Sequence, residues 1–135
     1  MKANETRRIT CGVIEHTPLG QSLIEKYIRR VPELDLRWMC DFQENAHPFF
    51  ENHIPNLVFM NLRRVPVEVV SILRPILMYH RGIIITTGYL RAEVGEIPFP
   101  YVSYLMKPFS FDAFLASIER YKQTRDGEED EELLS

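Results

Sequence analysis

Apolar residues along the chain fall into two alternating patterns. Five short runs rich in β-branched and aromatic residues read as strands: residues 8–15 (RITCGVIE), 34–40 (LDLRWMC), 56–60 (NLVFM), 82–87 (GIIITT) and 101–106 (YVSYLM). Between them the spacing changes to that of one helix face. Leu23, Ile24, Tyr27, Ile28 and Val31 form such a stripe, with Thr17 placed to cap it and Pro18 in its first turn. Val69, Val70, Leu73, Ile76 and Leu77 form a second stripe, in which Pro75 is expected to kink or shorten the helix. A third stripe, Phe111, Phe114, Leu115, Ile118 and Tyr121, follows the capping residue Ser110. The segment 43–53 (QENAHPFFENH) predicts a short helix broken near Pro48, and 88–100 (GYLRAEVGEIPFP), with two prolines, predicts a short or irregular element.

Strands that alternate with helices imply right-handed crossovers and a parallel sheet covered on both faces. The unbroken apolar runs LVFM and IIIT suit central strands, which are buried on both sides. At 135 residues and 45% hydrophobic composition, the chain supports one core and one domain over residues 8–122. Residues 1–7 are expected to be disordered and 123–135 to form an acidic linker or tail.

Charge sharpens that division. The net charge of -3 hides six acids within Asp126 to Glu132, while all sixteen Lys and Arg lie at or before Arg125. Set against the remaining thirteen acids, they leave the body three positive. A like-charge run of this kind is expected to stay solvated and unordered. The sequence has no apolar stretch long enough for a membrane span or signal peptide, so a cytoplasmic location without membrane association is expected. Cys11 and Cys40 lack metal-type spacing and read as core thiols.

Ligands of parallel α/β sheets bind beyond the carboxyl ends of the strands. The residues at those ends are Glu15 and His16, Asn61, Thr86 and Thr87, and Lys107 followed by Pro108. This set resembles the receiver domain of bacterial response regulators: GVIEHTP stands at the family's acidic strand-one motif, VFMN at the phosphoacceptor strand, ITTGY at the Thr/Ser strand end, and YLMKPF at the Lys-Pro motif. PLGQSLIEKYIRRVPELDL and YLMKPFSFDAFLASIERY look most like receivers that precede a LytTR-type DNA-binding domain. The resemblance implies a flavodoxin-like three-layer α/β sandwich with a five-stranded parallel sheet in the order 2-1-3-4-5.

In that family the strand-one acids and an aspartate at the third strand hold Mg²⁺ during phosphoryl transfer from a histidine kinase. Here Glu15, Thr87 and Lys107 keep the required residue types, while His16 and Asn61 replace the second acid and the acceptor. An imidazole and an amide are poor ligands for Mg²⁺, and an amide nitrogen is no nucleophile at neutral pH. The loop after Asn61 is also one residue longer than the family's before Pro66. Asp35, Asp41 and Asp112 lie elsewhere. The resemblance therefore implies a non-phosphorylatable receiver whose vestigial pocket is Glu15, His16, Asn61, Thr87 and Lys107, with no catalytic residues and no cofactor.

Lys107 is expected to pair with Glu15, and His16 to be a hydrogen-bonded pocket histidine and not a metal ligand. His47, His53 and His80 read as surface residues, and Arg63 and Arg64 as a solvated loop. Pro108 matches the family's cis proline. Tyr104 stands at its switch-aromatic position and suits a packed core or rim tyrosine equally well. Partners are expected to be a second copy or another protein, on the face of the fourth helix, fifth strand and fifth helix. DNA contact would come only through a domain outside this chain, as in the N-terminal part of a transcriptional regulator. The alternatives are a stand-alone adaptor and a small enzyme using Glu15, His16 and Lys107, for which no positioned nucleophile or Gly-rich phosphate loop is present.

Overall fold

A computed structural model describes residues 8–134. In chain order the elements are β1 (Ile9–Ile14), α1 (Pro18–Arg29), β2 (Leu34–Cys40), a 3₁₀ turn (Gln43–Asn45), α2 (His47–Asn52), β3 (Leu57–Asn61), a second 3₁₀ turn (Ser71–Leu73), α3 (Arg74–Tyr79), β4 (Ile83–Thr87), α4 (Arg91–Val94), β5 (Ser103–Met106) and α5 (Phe111–Leu134). All strand pairs are parallel and the order is β2-β1-β3-β4-β5, as expected from the alternation.

Because side chains alternate across a strand, the sheet divides the core in two. On one face Cys11, Val13, Phe59 and Ile84 pack under α1 and α5, which supply Ile24, Ile28, Phe114 and Ile118. On the other, Val58, Met60, Ile83 and Ile85 pack under the three short helices through Phe50, Leu77 and Val94 and under the second 3₁₀ turn through Leu73. β3 and β4 are buried on both sides, which accounts for their unbroken apolar runs. Both cysteines are free and buried, and burial pushes each thiol up to about 12.

Four expectations are corrected. Val69 and Val70 lie outside any helix, because the helix begins only at Arg74. Pro48 sits in the first turn of α2, where a missing N–H costs nothing, so it opens that helix instead of breaking it; Pro75 likewise opens α3, which is shortened to six residues as expected. The acidic segment is helical: α5 runs without interruption through it to Leu134. His80 is half-buried, with Nε2 2.7 Å from the Pro55 carbonyl and Nδ1 accepting from Gly82 N–H at 2.9 Å; His53 has a buried Nε2. The expected disorder of residues 1–7 lies outside the described residues. Among the described residues, no helix is long and apolar enough to cross a membrane.

Candidate functional site

Glu15 follows β1 directly and is 3% exposed. A buried carboxylate requires partners, and three converge on it. Lys107 Nζ, just beyond β5, donates to Oε1 at 2.6 Å, and Thr17 donates to Oε2 through its N–H at 3.1 Å and its hydroxyl at 3.0 Å. Thr17 Oγ1 in turn accepts from Gly20 N–H at 3.0 Å, so the cap of α1 and the carboxylate form one unit at the positive end of the helix. Gly20 is required here by proximity: a Cβ would stand 2.6 Å from both the Glu15 carboxylate and Thr17 Oγ1.

His16 and Asn61 form the second unit. Asn61 Nδ2 lies 2.9 Å from His16 Nδ1, and since an amide nitrogen has only protons to offer, the ring nitrogen accepts. The His16 ring stacks on Phe42 at 5.9 Å, and Arg63 Cζ lies 4.5 Å from the centroid of the same Phe42 ring. Arg63 and Arg64 are exposed on their loop as expected, and Arg63 in addition lies over an aromatic ring. Asp41, the nearest aspartate in sequence, accepts from Asn45 Nδ2 and Phe42 N–H through Oδ1, bonds that hold its carboxyl below its usual range.

The strand-end threonines divide between the two faces. Thr87 is buried; its hydroxyl donates to the Leu62 carbonyl at 2.9 Å and accepts from Tyr89 N–H at 3.2 Å, tying together the loops after β3 and β4. Tyr104 donates to the Tyr89 carbonyl at 2.7 Å, and burial raises its phenol above its ordinary value. Arg91 lies 5.9 Å from both the Tyr104 and Tyr101 rings and holds the short α4 by donating to Gly95 O. Thr86, one residue earlier, faces the opposite way. It lines a cavity of about 340 Å³ together with Glu15 and Lys107. Sequence reasoning selected Thr87 and passed over Thr86; the two-residue strand period, counted from the buried Ile84, carries that information. The Lys107–Pro108 bond is cis, and so is Val65–Pro66.

The strand ends thus bring together Glu15 with Lys107 and His16 with Asn61, while Thr87 is engaged on the other face. The chemistry available to this set is limited. Its one carboxylate is already bound through both oxygens, its ammonium is paired, and the residue closing β3 is an amide. Among the described residues, no group of three His, Cys, Asp or Glu is placed to hold a metal ion, and an imidazole and an amide beside an already engaged carboxylate are a poor donor set for a hard cation that takes oxygen ligands.

No protein-family model matches the chain, and no curated protein sequence matches it. Solved structures do. The response regulatory domain of protein mrkE from Klebsiella pneumoniae superimposes with a TM-score of 0.71 at 13% identity, covering 88% of this chain and 99% of that one. For the PhyR response regulator REC domain of Erythrobacter litoralis the values are 0.67 and 20%, covering 84% and 89%. The response regulator PhyR from Brucella abortus gives 0.70 and 19%, covering 94% of this chain and 54% of that one. The chain spans about half the length of that PhyR chain. Together with the strand order, these likenesses define the fold as that of response-regulator receiver domains.

Proposed function

We propose that this chain is a receiver domain that does not accept a phosphoryl group and acts as a non-enzymatic signalling module, binding a protein partner or a second copy. One observation carries the reading: the side chain closing β3, at the place where the receiver resemblance puts an acceptor, is Asn61, whose Nδ2 is already committed to His16. The Glu15–Lys107 pair supports it, because the ammonium and the carboxylate neutralise each other without a phosphate or a metal. On this reading Mg²⁺ is not required, and the pocket holds one resting conformation.

The partner surface is the one formed by α4, β5 and α5, where Leu90 and Met106 are exposed and Tyr104 sits beneath. Attachment to a DNA-binding domain of the LytTR type, as the N-terminal part of a transcriptional regulator, belongs to the same proposal.

The test is incubation with acetyl phosphate and Mg²⁺, read by intact mass, on the wild type, on Asn61→Asp and on Asn61→Asp/His16→Asp. The wild type should remain unmodified, and so should the single variant, since its new carboxylate would face Glu15 without a rebuilt anionic site. Only the double variant restores the family's set of acids. Stoichiometric, base-labile phosphate on the wild type would refute the proposal, and modification of the single variant would show that His16 is no obstacle.

A further inference from the structure

Beyond that signalling role, the cavity on the α1 side of the strand ends has the composition of a small-molecule site. Its walls are Leu19, Leu23 and Ile24 from α1 and Pro108 and Phe109 after β5. Its inner end holds Thr86 and the Glu15–Lys107 pair. About 340 Å³ is within the range of ligand pockets, and a mostly apolar wall converging on a few polar groups at the carboxyl ends of parallel strands is the arrangement such pockets share.

The polar end selects the ligand. An ammonium has three protons to donate, and Lys107 gives one to Glu15. Oε2 of Glu15 accepts two bonds from Thr17 and Oε1 accepts one from Lys107, and the carboxylate is buried. What the cavity presents is therefore hydrogen-bond donation, from the remaining Lys107 protons and the Thr86 hydroxyl, around an already neutral ion pair. A carboxylate would add a second negative charge beside buried Glu15, whose cation Lys107 is already paired, and an amine would compete with Lys107 for it. A neutral acceptor meets neither obstacle. We propose that this cavity binds a small uncharged molecule with an apolar body and a carbonyl oxygen at one end, the carbonyl accepting from Lys107 and Thr86.

The experiment titrates the full chain with acetophenone, with benzoate, which replaces the ketone by a carboxylate, and with ethylbenzene, which lacks the oxygen, following backbone amide shifts. Acetophenone should give saturable shifts at Leu23, Ile24, Thr86 and Phe109, with ethylbenzene weaker by about tenfold or more, because it forfeits both the charge-assisted bond from Lys107 and the neutral one from Thr86, and benzoate weaker because of its charge. Thr86→Val, which removes only the neutral bond, should weaken acetophenone by about three- to tenfold and leave ethylbenzene unchanged. Leu23→Trp, which fills the cavity, should abolish all three titrations. The proposal is overturned if acetophenone gives no saturable shifts in the wild type, if benzoate binds more tightly than acetophenone, or if folded Leu23→Trp titrates like the wild type. Equal loss of acetophenone and ethylbenzene in Thr86→Val would overturn the assigned carbonyl contact.

Discussion

Lys107 and Glu15 illustrate how much a single side chain determines at this sheet edge. Glu15 is closed off from solvent, so removing its cation would leave a carboxylate with only the Thr17 donors to replace water. Lys107→Met keeps the length of the side chain and should destabilise the domain by about 2–4 kcal/mol, measured as the shift in urea midpoint at unchanged slope. A loss below about 0.5 kcal/mol would place the pair among ordinary surface ion pairs. His80 works in the opposite electrostatic direction. Burial holds its imidazole below its usual value of 6.5, and Nδ1 is committed as an acceptor to Gly82 N–H. The unfolded chain therefore takes up a proton at a higher pH than the folded one. Stability is retained above about pH 6.5 and declines as pH falls through that value toward the folded-state one. His80→Gln should flatten the fall in urea midpoint between about pH 7.5 and about pH 5.5, leaving the slope contributed by the other histidines. An unchanged pH profile in the variant would remove His80 from this role.

Among the elements, legibility in the sequence followed the strength of the pattern. The five strands and helices α1 and α5 were readable because Leu57 to Met60, Ile83 to Ile85, and the stripes from Leu23 and Phe111 each repeat one burial period over several residues. α3 was misplaced at its start because Val69 and Val70 continue the apolar spacing while the backbone enters its 3₁₀ turn only at Ser71; apolar periodicity does not distinguish a helix from an extended loop packed on the same face. The Glu15–Lys107 contact was readable from strand-end chemistry. The Phe42–His16–Arg63 cluster was not, because its members come from three loops whose relative placement depends on tertiary structure. The tail was misread for a different reason: composition describes its charge and is silent on its attachment to a helix already nucleated on the core by Phe114 and Ile118. Six acids at the C-terminal end of a helix oppose the macrodipole and one another. Salt should screen both effects, so raising NaCl from about 0.05 M to about 0.5 M should slow amide exchange over residues 126–134 and leave residues 114–121 unaffected. Equal changes in both stretches would attribute the effect to global stability.

In the whole molecule, the two layers around the sheet are unequal. One is made of two helices of 12 and 24 residues, the other of three helices of 6, 6 and 4 residues joined by irregular chain. Local opening is expected on the second layer, since short helices draw little stability from their own hydrogen bonds and depend on the few apolar anchors beneath them. The loops after β3 and β4, which Thr87, Tyr89 and Tyr104 hold together, lie on that side.

The sheet order also has a consequence for synthesis on the ribosome. β1 lies between β2 and β3, so when the first two strands have emerged one edge of β1 still lacks its neighbour. The face carrying Cys11, Val13 and Phe59 is roofed by α1 early, but its second roof, Phe114 and Ile118, comes only with α5, after all five strands. Until residues beyond Phe111 leave the exit tunnel, the nascent domain exposes an apolar strip along the sheet, and α5 is the element that covers it.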